Sequence, residues 1–210
     1  MPPRERQSLF ITFEGADGSG KTTQSKILAD RIGALWTREP GGTALGAQIR
    51  SLCLGDTYDP SDLAELLLMG ADRAHHVDRL IRPALETNHV VCDRYTHSTI
   101  AYQGAGRSVD PELVLRVCEL ATSGLNPDVV VLIDLPVERA LARQAGRAEP
   151  DRMEKNDQEF KERVRQSYLD QSVGTTNMLV VDGDASVELV AERVWDALVE
   201  YFGSRLAPLG

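Results

Sequence analysis

Cysteine is scarce in this chain, and long apolar runs, long basic runs and low-complexity segments are missing altogether. The three cysteines, Cys53, Cys92 and Cys118, are odd in number, widely spaced and set in apolar surroundings. That excludes a disulfide framework and leaves no metal-ligand spacing with the four histidines, so they read as reduced core residues. No stretch approaches the ~20 apolar residues of a membrane span, and no membrane partner is expected. The segment Met1-Pro2-Pro3-Arg4-Glu5-Arg6-Gln7 is charged and followed at once by a strand, unlike a secretory signal, so a cytoplasmic location is expected. Net charge is −9. Binding to a nucleic-acid backbone needs many Lys/Arg–phosphate contacts, so no nucleic-acid partner is expected. A small polyphosphate needs only local positive charge and stays open.

What is present is the composition of a soluble globular protein, 42% hydrophobic and 26% charged over 210 residues, which fits one domain spanning 1–210. Short apolar runs alternate with helical patterns: strands near 9–13, 34–37, 90–92, 129–133 and 178–181, with helices between them. This predicts an α/β fold, a three-layer arrangement of a five-stranded parallel sheet flanked by helices. Asp59-Pro60-Ser61-Asp62 supplies capping chemistry for a long helix through Leu80. That helix is apolar on more than one face, as if buried by the core and by a partner subunit.

The most informative stretch is Gly15-Ala16-Asp17-Gly18-Ser19-Gly20-Lys21-Thr22, between the first strand and a helix that begins near Thr23. It matches the phosphate-binding P-loop. Glycines let successive backbone N–H groups point inward, and the helix N-terminus adds its positive dipole end. Lys21 would reach the β and γ phosphates of a nucleoside triphosphate, and the Thr22 hydroxyl would ligate Mg²⁺. An ordinary Gly/Ser turn before a lysine is the bland alternative, and the flanking strand and helix argue against it.

Further candidates fall at strand ends, where open α/β sheets bind ligands. Asp93 ends the third strand, where an acid could hold Mg²⁺ or its water, or merely cap a helix. Arg94 beside it would meet a phosphate or form a structural salt bridge. Arg38-Glu39-Pro40-Gly41-Gly42-Thr43 is a turn at another strand end. Arg73 sits in the long helix with Asp72 alongside, so a surface salt bridge is one reading. Arg143, Arg147 and Arg152, interrupted by Gly146 and Pro150, are either a solvated basic helix end or a lid over the phosphates (about 143–154). One lid arginine directed at a transferring phosphoryl group can supply ~10³–10⁵ in rate. A GTPase would need Asn/Thr-Lys-x-Asp after a strand; Glu154-Lys155-Asn156-Asp157 has the wrong first residue and follows the lid.

Taken in order, these segments, with Asp72-Arg73-Ala74, Asp93-Arg94-Tyr95 running on to Ala101-Tyr102-Gln103, and Asp151-Arg152-Met153-Glu154, resemble the bacterial thymidylate kinase family over nearly the whole chain. The resemblance implies transfer of the ATP γ-phosphate to dTMP, giving dTDP and ADP for dTTP synthesis, with Mg²⁺ and a homodimer. A kinase of another pyrimidine, dUMP or a nucleoside, is the alternative. It implies that the loop Gly15 to Thr22, with Thr23, holds ATP, and that Lys21, Arg94, Arg143, Arg147 and Arg152 are catalytic. For dTMP it implies Asp17, Glu39, Pro40, Met69, Arg73, Arg94, Thr99, Tyr102 and Gln103; for the metal, Thr22, Asp93 and Asp17. Tyr102 would pack under the deoxyribose. Gly18 stands where some relatives carry an arginine, so the chain resembles the type that supplies this charge from the lid. Met69 stands where the family usually has a phenylalanine stacked on thymine, and a thioether can also pack on a ring.

Overall fold

Leu9 to Phe13 and Val129 to Ile133 are apolar at every position but one, a pattern stable only with both strand faces covered. In the computed structural model, which describes residues 7–145 and 152–206, they lie side by side at the centre of the sheet. The strands are β1 (Phe10–Glu14), β2 (Leu35–Arg38), β3 (Val90–Asp93), β4 (Val129–Asp134) and β5 (Met178–Asp182), in the order β2-β3-β1-β4-β5. Every pairing is parallel, with Phe10 opposite Val90 and Ile11 opposite Val129. All five strands therefore end at one edge, where Glu14, Arg38, Asp93, Asp134 and Asp182 stand.

Side chains alternate across β1. Leu9, Ile11 and Phe13 face α1 (Lys21–Ile32) and α9 (Val187–Phe202), meeting Leu28, Ile32, Val190, Val194 and Leu198. Phe10 points the other way, toward Val77, Ile81 and Tyr95. Each buried Phe or Ile contributes roughly 1.5–3 kcal/mol, so a charge at Ile11 would break the sheet at its centre. On the opposite face of β4, Val130 and Leu132 pack with Tyr102, Phe160, Val164 and Tyr168; the last three belong to α8 (Gln158–Ser172). The three cysteines are free and buried, and burial raises each thiol pKa, most strongly at Cys92.

The helices of most consequence for the site are α2 (Ala44–Leu54), α3 (Asp62–His76), α5 (Thr96–Thr99), α6 (Pro111–Thr122) and α7 (Val137–Gln144). Ser61 caps α3, its hydroxyl accepting from the Ala64 N–H, with Asp62 and Glu65 in the first turn. The expected single helix through Leu80 instead widens into a π-helical turn, Val77–Ile81, before α4 (Arg82–Ala84). Pro83 accounts for this, since it cannot donate to the carbonyl four residues back and its ring crowds that carbonyl. A second π-helical stretch, Ile100–Gly106, extends α5 and carries Tyr102 and Gln103. No helix among the described residues is long and apolar enough to cross a membrane.

Candidate active site

The loop from Gly15 to Thr22 leaves β1 at the centre of the strand-end edge and enters α1 through Gly20, whose φ is 97°. Gly18 has φ 83°, and a Cβ there would lie 2.8 Å from the Ala140 carbonyl oxygen. With the loop in this conformation, any side chain here would be strained and pressed against that carbonyl, which suits the site to glycine. Lys21 is buried, its Nζ 3.5 Å from Asp17 Oδ1 and within reach of the Ala16 carbonyl at 3.4 Å. Burial, then Arg94, lower its pKa, and Asp17 and Asp93 partly offset them. The Thr22 hydroxyl donates to Asp93 Oδ2 at 2.5 Å. Asp93 Oδ1 and Ser19 Oγ are buried without a hydrogen-bond partner. Hard oxygen donors with unused capacity beside a P-loop fit Mg²⁺ and a phosphate chain. Thr23 follows, exposed on the first turn of α1.

Facing this loop is Arg94, a non-glycine residue at φ 75°. That conformation costs about 1–2 kcal/mol. It is held because the Arg94 N–H donates to the Phe13 carbonyl (2.9 Å) and the Tyr95 N–H to Glu14 Oε1 (2.8 Å). The guanidinium then reaches the Gly15 carbonyl, Ser98 Oγ and the Tyr168 hydroxyl through Nη1, and Asp17 and the Tyr102 hydroxyl through Nη2. Arg94 thus does form an ion pair, and it forms it with the P-loop acid inside the cleft. Burial alone would raise the Asp17 carboxyl; Arg94, Lys21 and the Tyr102 hydrogen bond override it and hold it well below the usual carboxylate range. Both Asp17 oxygens face these groups, which places Asp17 on the Arg94 side of the loop.

Beyond Arg94 opens a cleft, the kind of concave, partly apolar setting in which small ligands bind. Asp17, Glu39, Pro40, Met69, Arg73, Arg94, Thr99 and Gln103 all line it, so the spacing-independent segments of the sequence converge on one cavity. Arg73 is not on the surface and does not pair with Asp72. It is buried, its Nε 2.7 Å from Glu39 Oε2, with Thr99 Oγ1 and the Tyr95 carbonyl each at 2.9 Å from the Nη atoms. Glu39 Oε1 meets His76 Nδ1 at 2.8 Å, and His76 Nε2 meets Thr37 Oγ1 at 2.7 Å. Asp72 turns instead to the Gly41 N–H at 3.2 Å. Burial, then the Glu39 charge, push its carboxyl up to about 6.

The family model for thymidylate kinase matches residues 13–194. The chain belongs to the thymidylate kinase family. Thymidylate kinases of Synechococcus sp. (strain JA-2-3B'a(2-13)) and Carboxydothermus hydrogenoformans are 46% and 49% identical to it, over 90% and 89% of this chain and 94% and 93% of theirs. The crystal structure of thymidylate kinase from Ehrlichia chaffeensis aligns with a TM-score of 0.75 at 34% identity, covering 91% of this chain and 98% of that one. The five-stranded parallel sheet is that of the P-loop kinases in this family.

Within this thymidylate kinase fold the arginine-rich stretch divides three ways. Arg143 spans from the Ser19 carbonyl to the Gly183 and Ala185 carbonyls, so it joins the P-loop to the loop after β5. Arg152 has different partners, donating to Glu65 and to the Cys53 carbonyl (2.9 Å). Arg147 lies outside the described residues. Sequence reasoning missed Glu14, His76, Tyr168 and Glu65, buried polar residues that hold the site's arginines and amides in place. Glu14 accepts from Ser98 and Tyr168, which support Arg94. His76 backs Glu39, and Glu65 receives Gln103 as well as Arg152. No short motif marks them; the available signal was a polar residue on an otherwise apolar strand or helix face. Burial lowers the His97 pKa, with Glu14 partly offsetting it, and His97 is outside the set lining the cleft.

Proposed function

We propose that the chain transfers the γ-phosphate of ATP to dTMP, giving dTDP and ADP. The observation that carries this reading is the opposition of two anion-binding centres. The Lys21 loop lies on one side and Arg94 on the other, with Asp17 bridging them. A dTMP phosphate oxygen, largely ionised at neutral pH, attacks the γ-phosphorus in line as the β–γ bridging oxygen leaves with ADP, so no general base is needed. Lys21 and Arg94 gather the two phosphates, and Arg147 is assigned by sequence as the lid arginine that stabilises the transferring group. Arg143 supports the nucleotide end of the P-loop, and Arg152 the acceptor end.

Thr22 and Asp93 would hold Mg²⁺, which would supply charge neutralisation to the phosphate chain. Arg73, Thr99 and Gln103 read the pyrimidine edge, Met69 packs on its face, and Tyr102, fixed by Asp17, lies under the deoxyribose and excludes a 2′-hydroxyl. A homodimer fits the exposed residues Leu63, Leu67, Ala71 and Ala74, which recur at helical spacing along α3. An ADP-release assay across dTMP, dUMP, dCMP and thymidine tests the reading. It predicts turnover that is fastest with dTMP and negligible with thymidine. ADP release with no acceptor dependence would overturn it.

A further inference from the structure

Gln103 lines the acceptor cleft beside Arg73, Thr99 and Met69. The two ends of its amide have opposite character, NH₂ a donor and Oε1 an acceptor, so what it can recognise depends on which end faces the ligand. One end is already committed. Gln103 Nε2 donates to Glu65 Oε1 at 2.8 Å. Glu65 is fully buried in the first turns of α3, its other oxygen taken by Arg152, with Arg107 Nη2 3.6 Å away. A carboxylate flanked by two guanidiniums is an acceptor only. Turning Gln103 over would set oxygen against oxygen and discard a buried hydrogen bond. The amide is locked, and Oε1 is the end left for the cleft.

We propose that Glu65 is a positioning residue for acceptor-base selectivity, fixing Gln103 so that it offers a hydrogen-bond acceptor to the pyrimidine N3. Thymine and uracil carry N3–H and satisfy it. Cytosine presents a lone pair at N3 and meets acceptor with acceptor. The inference rests on the dTMP kinase reading of the cleft and adds to it a residue that touches no substrate. It also gives a reason for the buried charge: packing alone would be served by an apolar residue, and a buried ion pair is a costly substitute for one.

The test is the ratio of kcat/KM for dTMP to that for dCMP, measured on the wild type and on Glu65→Gln. An amide at 65 can donate or accept, so Gln103 is free to turn, and the ratio is expected to fall at least about tenfold. Because both values come from one preparation, an inactive fraction cancels. The double variant Glu65→Met with Arg152→Met removes the carboxylate together with its nearest guanidinium, leaving Arg107 its contacts with Asp62 and Asn156, and carries the same expectation. A ratio within twofold of wild type in either folded variant, with a lowered Tm, would make Glu65 a structural residue and overturn the proposal. Failure of the wild type to use dTMP would instead overturn the underlying functional reading.

Discussion

Replacing Glu39 by Gln removes one charge from the interior while keeping its shape. Glu39 and Arg73 are each 3% exposed and 2.7 Å apart. Stripping one partner from such a pair typically costs about 3–5 kcal/mol, because the other charge stays buried and unpaired. Gln restores part of this: its carbonyl can still accept from Arg73 Nε, and its NH₂ can donate to a His76 tautomer whose Nε2–H is given to Thr37. A net loss of about 2–3 kcal/mol remains, and at about 2–4 °C per kcal/mol for a chain of this size, Tm should fall by roughly 5–10 °C. Arg73, now less firmly aimed, should raise the KM for dTMP about tenfold, equivalent to about 1.4 kcal/mol. The KM for ATP should stay within twofold, since the P-loop contacts are untouched. Thermal melts and steady-state kinetics read both quantities. An unchanged Tm with an unchanged KM for dTMP would refute the claim that Glu39 anchors Arg73.

Asp72→Asn isolates a pH effect. Because the folded carboxyl is raised from 3.8 to about 6, wild-type stability falls as pH rises between those values and stays low above them. Asn retains an acceptor for Gly41, so the variant should be more stable by up to about 3 kcal/mol above pH 6, with no advantage below pH 4, by denaturant titration across that range. Gly18→Ala should cut kcat and stability together, since it forces φ 83° on an L-residue and presses a methyl on the Ala140 carbonyl; wild-type kinetics would count against the steric account. Glu14→Gln puts an NH₂ in a site that receives the Tyr95 N–H and the Ser98 hydroxyl. It should lower kcat/KM for dTMP about tenfold, through about 1–3 kcal/mol of unsatisfied hydrogen bonding behind Arg94.

The sheet was legible because buried parallel strands read as short apolar runs, and each expected strand lies within a residue or so of the observed one. The P-loop and the Asp93-Arg94 pair were legible because a strand end followed by a turn places them at the binding edge. Arg73 shows where such reading stops. Its sequence neighbour Asp72 looked like its partner, yet adjacent residues on a helix point about 100° apart, so they do not face each other. The true partner, Glu39, is 34 positions away. Glu14 and Tyr168 are separated by 154 positions and belong to no motif, so their contact depends on how α8 packs across the sheet. The arginines at 143 and 152 shared a run in sequence, but α7 and the turn before α8 carry them to different partners, the loop after β5 for Arg143 and Glu65 of α3 for Arg152.

The most direct test of the account is the rate of dTDP formation from dTMP and γ-labelled ATP by Arg94→Gln, at saturating ATP and with folding checked by its melt. If Arg94 holds the acceptor phosphate against the P-loop, label should pass to dTDP in the wild type and the variant should lose at least about a hundredfold in that rate, the loss of one preorganised charged donor. Wild-type transfer to dTDP by the folded variant, or label released only as inorganic phosphate by the wild type, would contradict it.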